Sequence, residues 1–488
     1  MGRLLSYATQ VAIARMYGPA QLGFYVLGTT VVYMVSILAQ VGMDNGVVRY
    51  VAHYRAEGDV SRIRGTILLA LSITLASSVG LASLMFFSAG FLGNTVFHEP
   101  FLETVFKAFA VSLPLFTTMN MVLYTTQGFQ NVGYTTFVRQ ILQPLTNLVL
   151  IVIFYFLGAK ILGSAASYSL SMAAGLILSL YYLKRVFPEI LDRGVPTKLE
   201  PRTLFSASAP MIVANVMPYV STWAAITVLG IVGTSAEVGI YNAAARTGTL
   251  SALVLFAFSG IFSPMASDLF KRNSLGHLGY LYKDISRWAF TGSLAFFLLT
   301  VLLAGDIMAV FGDKFASGES AMIVIAGAQL FSSSVGLTAR VLAMTGRQKV
   351  VMIATVGSTV VGAAVTVPLI PAYGMLGAAV AEAAAIVISN AITLLAVQRL
   401  LGFWPYDASY LKPIAAGTIA AVGTYLANLS FPLSSGIPTI LVFAPVFLIS
   451  FAILLSVLGL NSSDRQFLKT FWMVAQNAIK RDARTASK

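Results

Sequence analysis

GTSAEVGIYNAAARTGTL, residues 233–250, opens a long apolar run yet carries Asn242 and Arg246. An arginine on a lipid-facing helix costs roughly 2.5–3.5 kcal/mol on insertion scales, so such residues usually face protein or a water-filled space. An earlier stretch echoes this one: YGPAQLGFYVLGTT, residues 17–30. A shift of 216 residues lays Ala20, Gly23 and Tyr25 on Ala236, Gly239 and Tyr241, and sets Arg246 where the first copy has Thr30. The pair reads as a duplicated membrane unit whose second copy gained a charge.

Composition points the same way. The 488 residues are 57% hydrophobic and 10% charged, with a mean hydropathy of +0.83. Soluble chains carry about 25% charged residues, so the chain is an integral membrane protein. It contains no cysteine, which excludes disulfides, thiolate metal sites and a cysteine nucleophile. Its three histidines, His53, His98 and His277, are far apart in the chain and give a metal cluster little support.

Apolar runs fall at 4–17, 22–41, 65–92, 108–124, 141–157 and 161–183, then at 204–228, 238–262, 288–303, 321–344, 350–370 and 374–397. Two more, 414–429 and 437–458, precede a polar tail. They are long and rich in Leu, Val, Ala and Gly, unlike the short alternating strands of an outer-membrane barrel. The expected fold is therefore an all-α polytopic membrane protein with about 14 transmembrane helices. The first run is short for a span, and no signal-peptide pattern precedes it.

Orientation follows from Lys and Arg. With the N-terminus inside, all but Arg15, Lys107, Lys160, Arg246 and Lys314 of the 31 basic residues fall in inner loops and ends, the linker or the tail. That asymmetry predicts a cytoplasmic-membrane protein with both termini cytoplasmic. It also accounts for the net charge of +13 without nucleic acid as a partner.

The duplication continues beyond the first pair. GFQNV (128–132) matches GRQKV (346–350) at a shift of 218, and LGSAA (162–166) matches LGAAV (376–380) at 214. Six helices return the chain to its starting side, so the copies are parallel and related by an axis along the membrane normal. The domains are then an N-lobe at 1–183, a cytoplasmic linker at 184–203 and a C-lobe at 204–397. Helices thirteen and fourteen occupy 398–460, and a cytoplasmic tail 461–488.

ARMYGPAQLGFY, AQVGMDNGVVRYVA, AEVGIYNAAAR and GIFSPMASDLFKR resemble the polysaccharide-export flippases of the multidrug/oligosaccharidyl-lipid/polysaccharide superfamily. The resemblance runs from Ala14 to the last helix. It implies two six-helix lobes around a central cavity that carry a polyprenyl-pyrophosphate-linked oligosaccharide from the inner to the outer leaflet by alternating access. It also implies that the first, second, seventh and eighth helices line the cavity, where cationic side chains meet the pyrophosphate; Arg246 fits that role. The implied partners are the lipid-linked glycan, the bilayer, and a polysaccharide polymerase or glycosyltransferases of the same pathway.

The residues themselves allow two readings of each anomalous charge. Arg246 lies about 12 Å into a roughly 30 Å core. Its planar, always-charged fork suits phosphate oxygens, or it pairs with a carboxylate to lock helices. Glu382 sits where the first copy has Tyr168, at matching depth. It binds a coupling proton or Na+, or is a protonated or paired carboxylate with a packing role. Asn242 shares the Arg246 helix. Asp44, Asn45 and Arg49 end the second helix near the inner mouth, either as a point of substrate entry or as a snorkelling helix end. Trp223, Tyr241 and Tyr373 are candidate interfacial anchors, and Arg15 snorkels outward.

No catalytic residue, metal site or resident cofactor is expected, and no Walker A pattern appears. Two other functions compete with the flippase. An ion-coupled multidrug antiporter of the same superfamily would favour acidic cavity residues. A membrane glycosyltransferase or polymerase would need a catalytic carboxylate near a sizeable outer loop.

Overall fold

The computed structural model describes residues 2–159, 161–192, 194–201, 204, 220, 222–431, 433 and 436–458. Among them the chain is helical, with turns and no strand. Lipid offers no hydrogen bonds to a bare backbone, so each span must satisfy its own N–H and C=O groups.

In chain order the helices are α1 (Gly2–Tyr17), α2 (Pro19–Gln40), α3 (Met43–Glu57), α4 (Val60–Phe91), α5 (Phe101–Ala110), α6 (Ser112–Gly128), α7 (Val132–Phe137), α8 (Gln143–Phe156) and α9 (Ile161–Val186). After the linker follow α10 (Thr222–Val232), α11 (Ser235–Gly248), α12 (Ala252–Lys271), α13 (Leu275–Leu302), α14 (Ala304–Ala309), α15 (Glu319–Val335), α16 (Thr338–Met344), α17 (Gln348–Leu401), α18 (Leu411–Ser430) and α19 (Ile437–Val457). Among the described residues, 9 helices are long and apolar enough to cross a membrane, or 10 if one bent pair forms a single span. This is a multi-pass membrane protein.

The difference from fourteen runs has local causes. α17 is 54 residues long but breaks at Gly374 (φ 55, ψ −131), so it holds both the 350–370 and 374–397 runs. α1 has only 16 residues. The 204–228 run lies mostly outside the described residues, as do Pro210, Asn215 and Pro218 within it and the 461–488 tail.

One boundary expectation is corrected. Asp44 and Arg49 do not end the second helix. α2 stops at Gln40, Val41 and Gly42 take left-handed backbone, and a new helix starts at Met43. Asp44 thus sits in the first turn of α3, where a carboxylate complements the helix dipole.

The chain forms two compact units. One comprises 1–247, 308–325 and 355–385; the other comprises 248–307, 326–354 and 386–488. In the first, Met43, Val47, Ile63, Ile67, Ala70, Met121 and Leu183 are among the residues that close an apolar core. In the second, Phe262, Ala266, Leu278, Tyr282, Ile285, Leu337 and Val397 do the same. Taken in order, these residues correspond at shifts close to 216, so the duplication reappears as two equivalent cores.

Within the first unit, part of the linker is strapped down. The Lys198 amide donates to Ser61 O at 3.2 Å, and Arg64 donates to Val195 O. Tyr54 donates to Glu200 Oε2 at 2.8 Å, while Arg62 meets Glu200 Oε1 at 3.1 Å. Burial, and then the Glu200 carboxylate, push the Tyr54 hydroxyl up to about 12. Gly65 allows this approach, because a Cβ there would overlap the Lys198 carbonyl.

Candidate functional site

α11 connects the charges noted in the sequence. Its residues at i, i+3, i+4 and i+7 share one stripe, which places Ser235, Gly239, Asn242 and Arg246 together. Gly239 packs on Pro19 and Gly23 of α2. Asn242 is buried and donates to Gln10 Oε1 of α1 at 3.0 Å. Beside the stripe, the Thr247 and Tyr7 hydroxyls lie 3.0 Å apart. Arg246, further along the same stripe, is exposed. Its guanidinium lies within electrostatic range of the Tyr25 hydroxyl on α2.

The other side of α11 holds the acidic group. Tyr241 is fully buried and donates to Glu382 Oε2 at 2.6 Å. The interfacial-anchor reading of Tyr241 is thereby corrected: its hydroxyl meets a carboxylate inside the protein. Tyr373 is 65% exposed.

The first copy has the corresponding contact without the charge. Tyr25, the equivalent of Tyr241, packs edge-on against Tyr168, the equivalent of Glu382, with centroids 6.1 Å apart. Asn147 supplies its hydrogen bond at 2.9 Å. Near the matching place in the second copy stand Ala363, Ala364 and Val365. The second copy thus moves its polar partner from the fifth helix of the unit to the sixth, and makes it acidic.

Asp44 is buried and Arg49 exposed in α3, where the Arg49 guanidinium lies 5.9 Å from the centre of the Tyr50 ring. They belong to the other end of the first unit's helices, apart from the α1–α2–α11 group. Arg15 does not simply snorkel. It donates to Val310 O and Ala309 O, both at 2.7 Å, and caps the end of α14.

Two residues escaped the sequence. Gln10 bonds Asn242, and its only signal was polarity on the Tyr7 face of an apolar helix, three residues on. Arg139, counted in the sequence only among the basic residues of inner loops and ends, lies in a π-helical turn between α7 and α8 (Val138–Leu142). Its guanidinium sits 4.7 Å above the Tyr124 ring, close enough for a cation–π contact. Among the described residues no group of three or more His, Asp or Glu could hold a metal ion.

Comparison with known proteins gives a consistent set of relatives. The chain is 23% identical over 386 residues to the probable low-salt glycan biosynthesis flippase Agl15 of Haloferax volcanii, covering 78% of this chain and 77% of that one. It is 21% identical over 436 residues to stage V sporulation protein B of Bacillus subtilis, covering 82% and 81%. Its fold is similar to that of the lipid II flippase MurJ in an inward closed conformation, with a TM-score of 0.73 over 94% of this chain and 96% of that one at 14% identity. An inward-facing multidrug resistance transporter of the MATE family in the MOP superfamily gives 0.66 over 82% and 95% at 15% identity. At these identities the structures establish the fold alone. The sequence over residues 1–270, more than half of the chain, matches the model for polysaccharide biosynthesis proteins, and the chain belongs to that family.

Proposed function

We propose that this protein is a flippase for a polyprenyl-pyrophosphate-linked oligosaccharide, moving it from the inner to the outer leaflet by alternating access. The observation that carries the reading is Arg246: a permanent cation exposed on the stripe of α11 that packs on α1 and α2. A phosphate group crosses hydrocarbon at lower cost where the path is wet and cationic, and a guanidinium meets its oxygens in a planar fork. Asn242, held by Gln10, extends the polar stripe. Asp44 and Arg49 stand near the inner entrance. The relatives named as flippases support transport rather than catalysis.

Glu382, held by Tyr241, is the coupling site and takes a proton or Na+. The bias of basic residues supports a location in the cytoplasmic membrane, with both termini and the 184–203 linker cytoplasmic. A polysaccharide polymerase or glycosyltransferases of the same pathway would supply and consume the glycan. The multidrug-antiporter alternative has the neighbouring fold but would place a cation where cationic substrates bind.

The test is transport of lipid-linked glycan in proteoliposomes and its accumulation in cells. Arg246→Ala should lose about ten-fold or more of the rate while remaining in the membrane, and Arg246→Lys should recover part, because charge returns without the fork. Wild-type export by Arg246→Ala would refute the assignment.

A further inference from the structure

The two glycines that reveal the duplication also touch each other's helices. A Cβ on Gly23 would overlap the Ser235 carbonyl and come within 3.2 Å of the Gly239 amide. A Cβ on Gly239 would overlap the Pro19 carbonyl and come within 2.9 Å of the Gly23 amide. Pro19 and Ser235 are separated by 216 residues, as are Gly23 and Gly239. The contact is therefore isologous: each copy offers its first-turn carbonyl to the other copy's glycine, as across a two-fold axis. Backbones approach this closely only where no side chain stands between them.

Other contacts within the same unit fasten this crossing. Arg15, at the end of α1, bonds the carbonyls that finish α14. Tyr7 bonds Thr247 and packs edge-on against Phe311 at 5.4 Å. Gly318, just before α15, lets Ile240 and Ala244 of α11 come close. With the N-terminus inside, α1 runs outward, so Pro19 and Ser235 both start helices at the outer side. Arg246 lies inward of them.

We propose that the Pro19–Gly23/Ser235–Gly239 crossing is the outer gate of the pathway, a pseudo-two-fold backbone seal that must part to release substrate. This rests on the transport reading above. The seal is a packing of smooth backbone surfaces that can separate, while the Arg15 and Tyr7 contacts hold it shut. A methyl group at either glycine acts as a wedge that favours the open state.

Single cysteines in this cysteine-free chain test the gate without substrate. A cysteine at Ala243, buried one turn beyond Gly239 on the same face of α11, should react slowly with an impermeant thiol reagent applied outside. Adding Gly23→Ala or Gly239→Ala should speed that reaction by about ten-fold or more, as a population shift toward the open state requires. Gly357→Ala, where a Cβ meets nothing within 4 Å, should leave it unchanged. Unchanged labelling in folded Gly23→Ala and Gly239→Ala proteins overturns the proposal. If those variants fail to fold, a Tyr7→Cys/Thr247→Cys pair keeps both glycines intact. A short reducible bis-thiosulfonate linker between the two cysteines should then stop export, and reductant should restore it; export that persists with the linker installed overturns the gate. Wild-type protein that moves no lipid-linked glycan while the labelling responds as expected sinks the transport reading and leaves the gate standing.

Discussion

Glu382 illustrates how far a single side chain can be understood before its surroundings are known. Its acidity within an apolar run and its correspondence to Tyr168 were both visible in the sequence. Its donor was not, because a tyrosine near a helix start looks like an interfacial anchor whether or not a carboxylate waits opposite. With Tyr241 donating at 2.6 Å, the two can be separated by substitution. Tyr241→Phe keeps the buried ring and removes the hydrogen bond, which should lower stability by about 1.5–3 kcal/mol if Glu382 is ionised. Glu382→Gln keeps an acceptor for Tyr241, so it should destabilise less, yet it should abolish the dependence of transport on the imposed ion gradient. Proteoliposomes with separate Na+ and pH gradients provide the measurement. Gradient dependence equal to wild type in Glu382→Gln would remove the residue from coupling.

Helices here are defined as much by their interruptions as by their lengths. The sequence located the apolar runs well, because burial in lipid demands long stretches without charge. It located the joints less well. Val41 carries φ 50, a left-handed conformation that a β-branched residue seldom adopts, so nothing in its side chain announced the end of α2. Gly374 is the opposite case: a glycine was read as a helix start, and the backbone turns there at φ 55 and ψ −131. Few residues other than glycine tolerate that region. Gly374→Ala should destabilise the protein by about 1–3 kcal/mol, seen as a lower unfolding midpoint in detergent. An alanine at Gly357, which is within the same helix but has ordinary helical backbone, should raise the midpoint slightly or leave it alone. Equal midpoints for the two variants would mean the break carries no strain.

For the molecule as a whole, the repeat was legible because three short matches kept nearly one spacing. The equivalent cores around Met43 and Phe262 follow from it. What the spacing could not reveal was that matched positions meet: periodicity says which face of a helix is special, not which partner lies against it. The Gly23/Gly239 crossing and the Asn242–Gln10 bond both needed coordinates. So did the strap at 195–200, and it changes how the polypeptide counts as one chain. Because Lys198 and Glu200 are held on α3 and α4, the connection at the linker is double, once by covalent bonds and once by this non-covalent clip, beside the α2–α11 crossing. A protease cut at the exposed Leu191–Asp192 segment severs only the first connection. The downstream fragment then keeps its leading residues docked at high effective concentration. The nicked fragments should copurify and retain transport, and Glu200→Ala, which removes the acceptor of both Tyr54 and Arg62, should let the nicked halves come apart more readily in high salt.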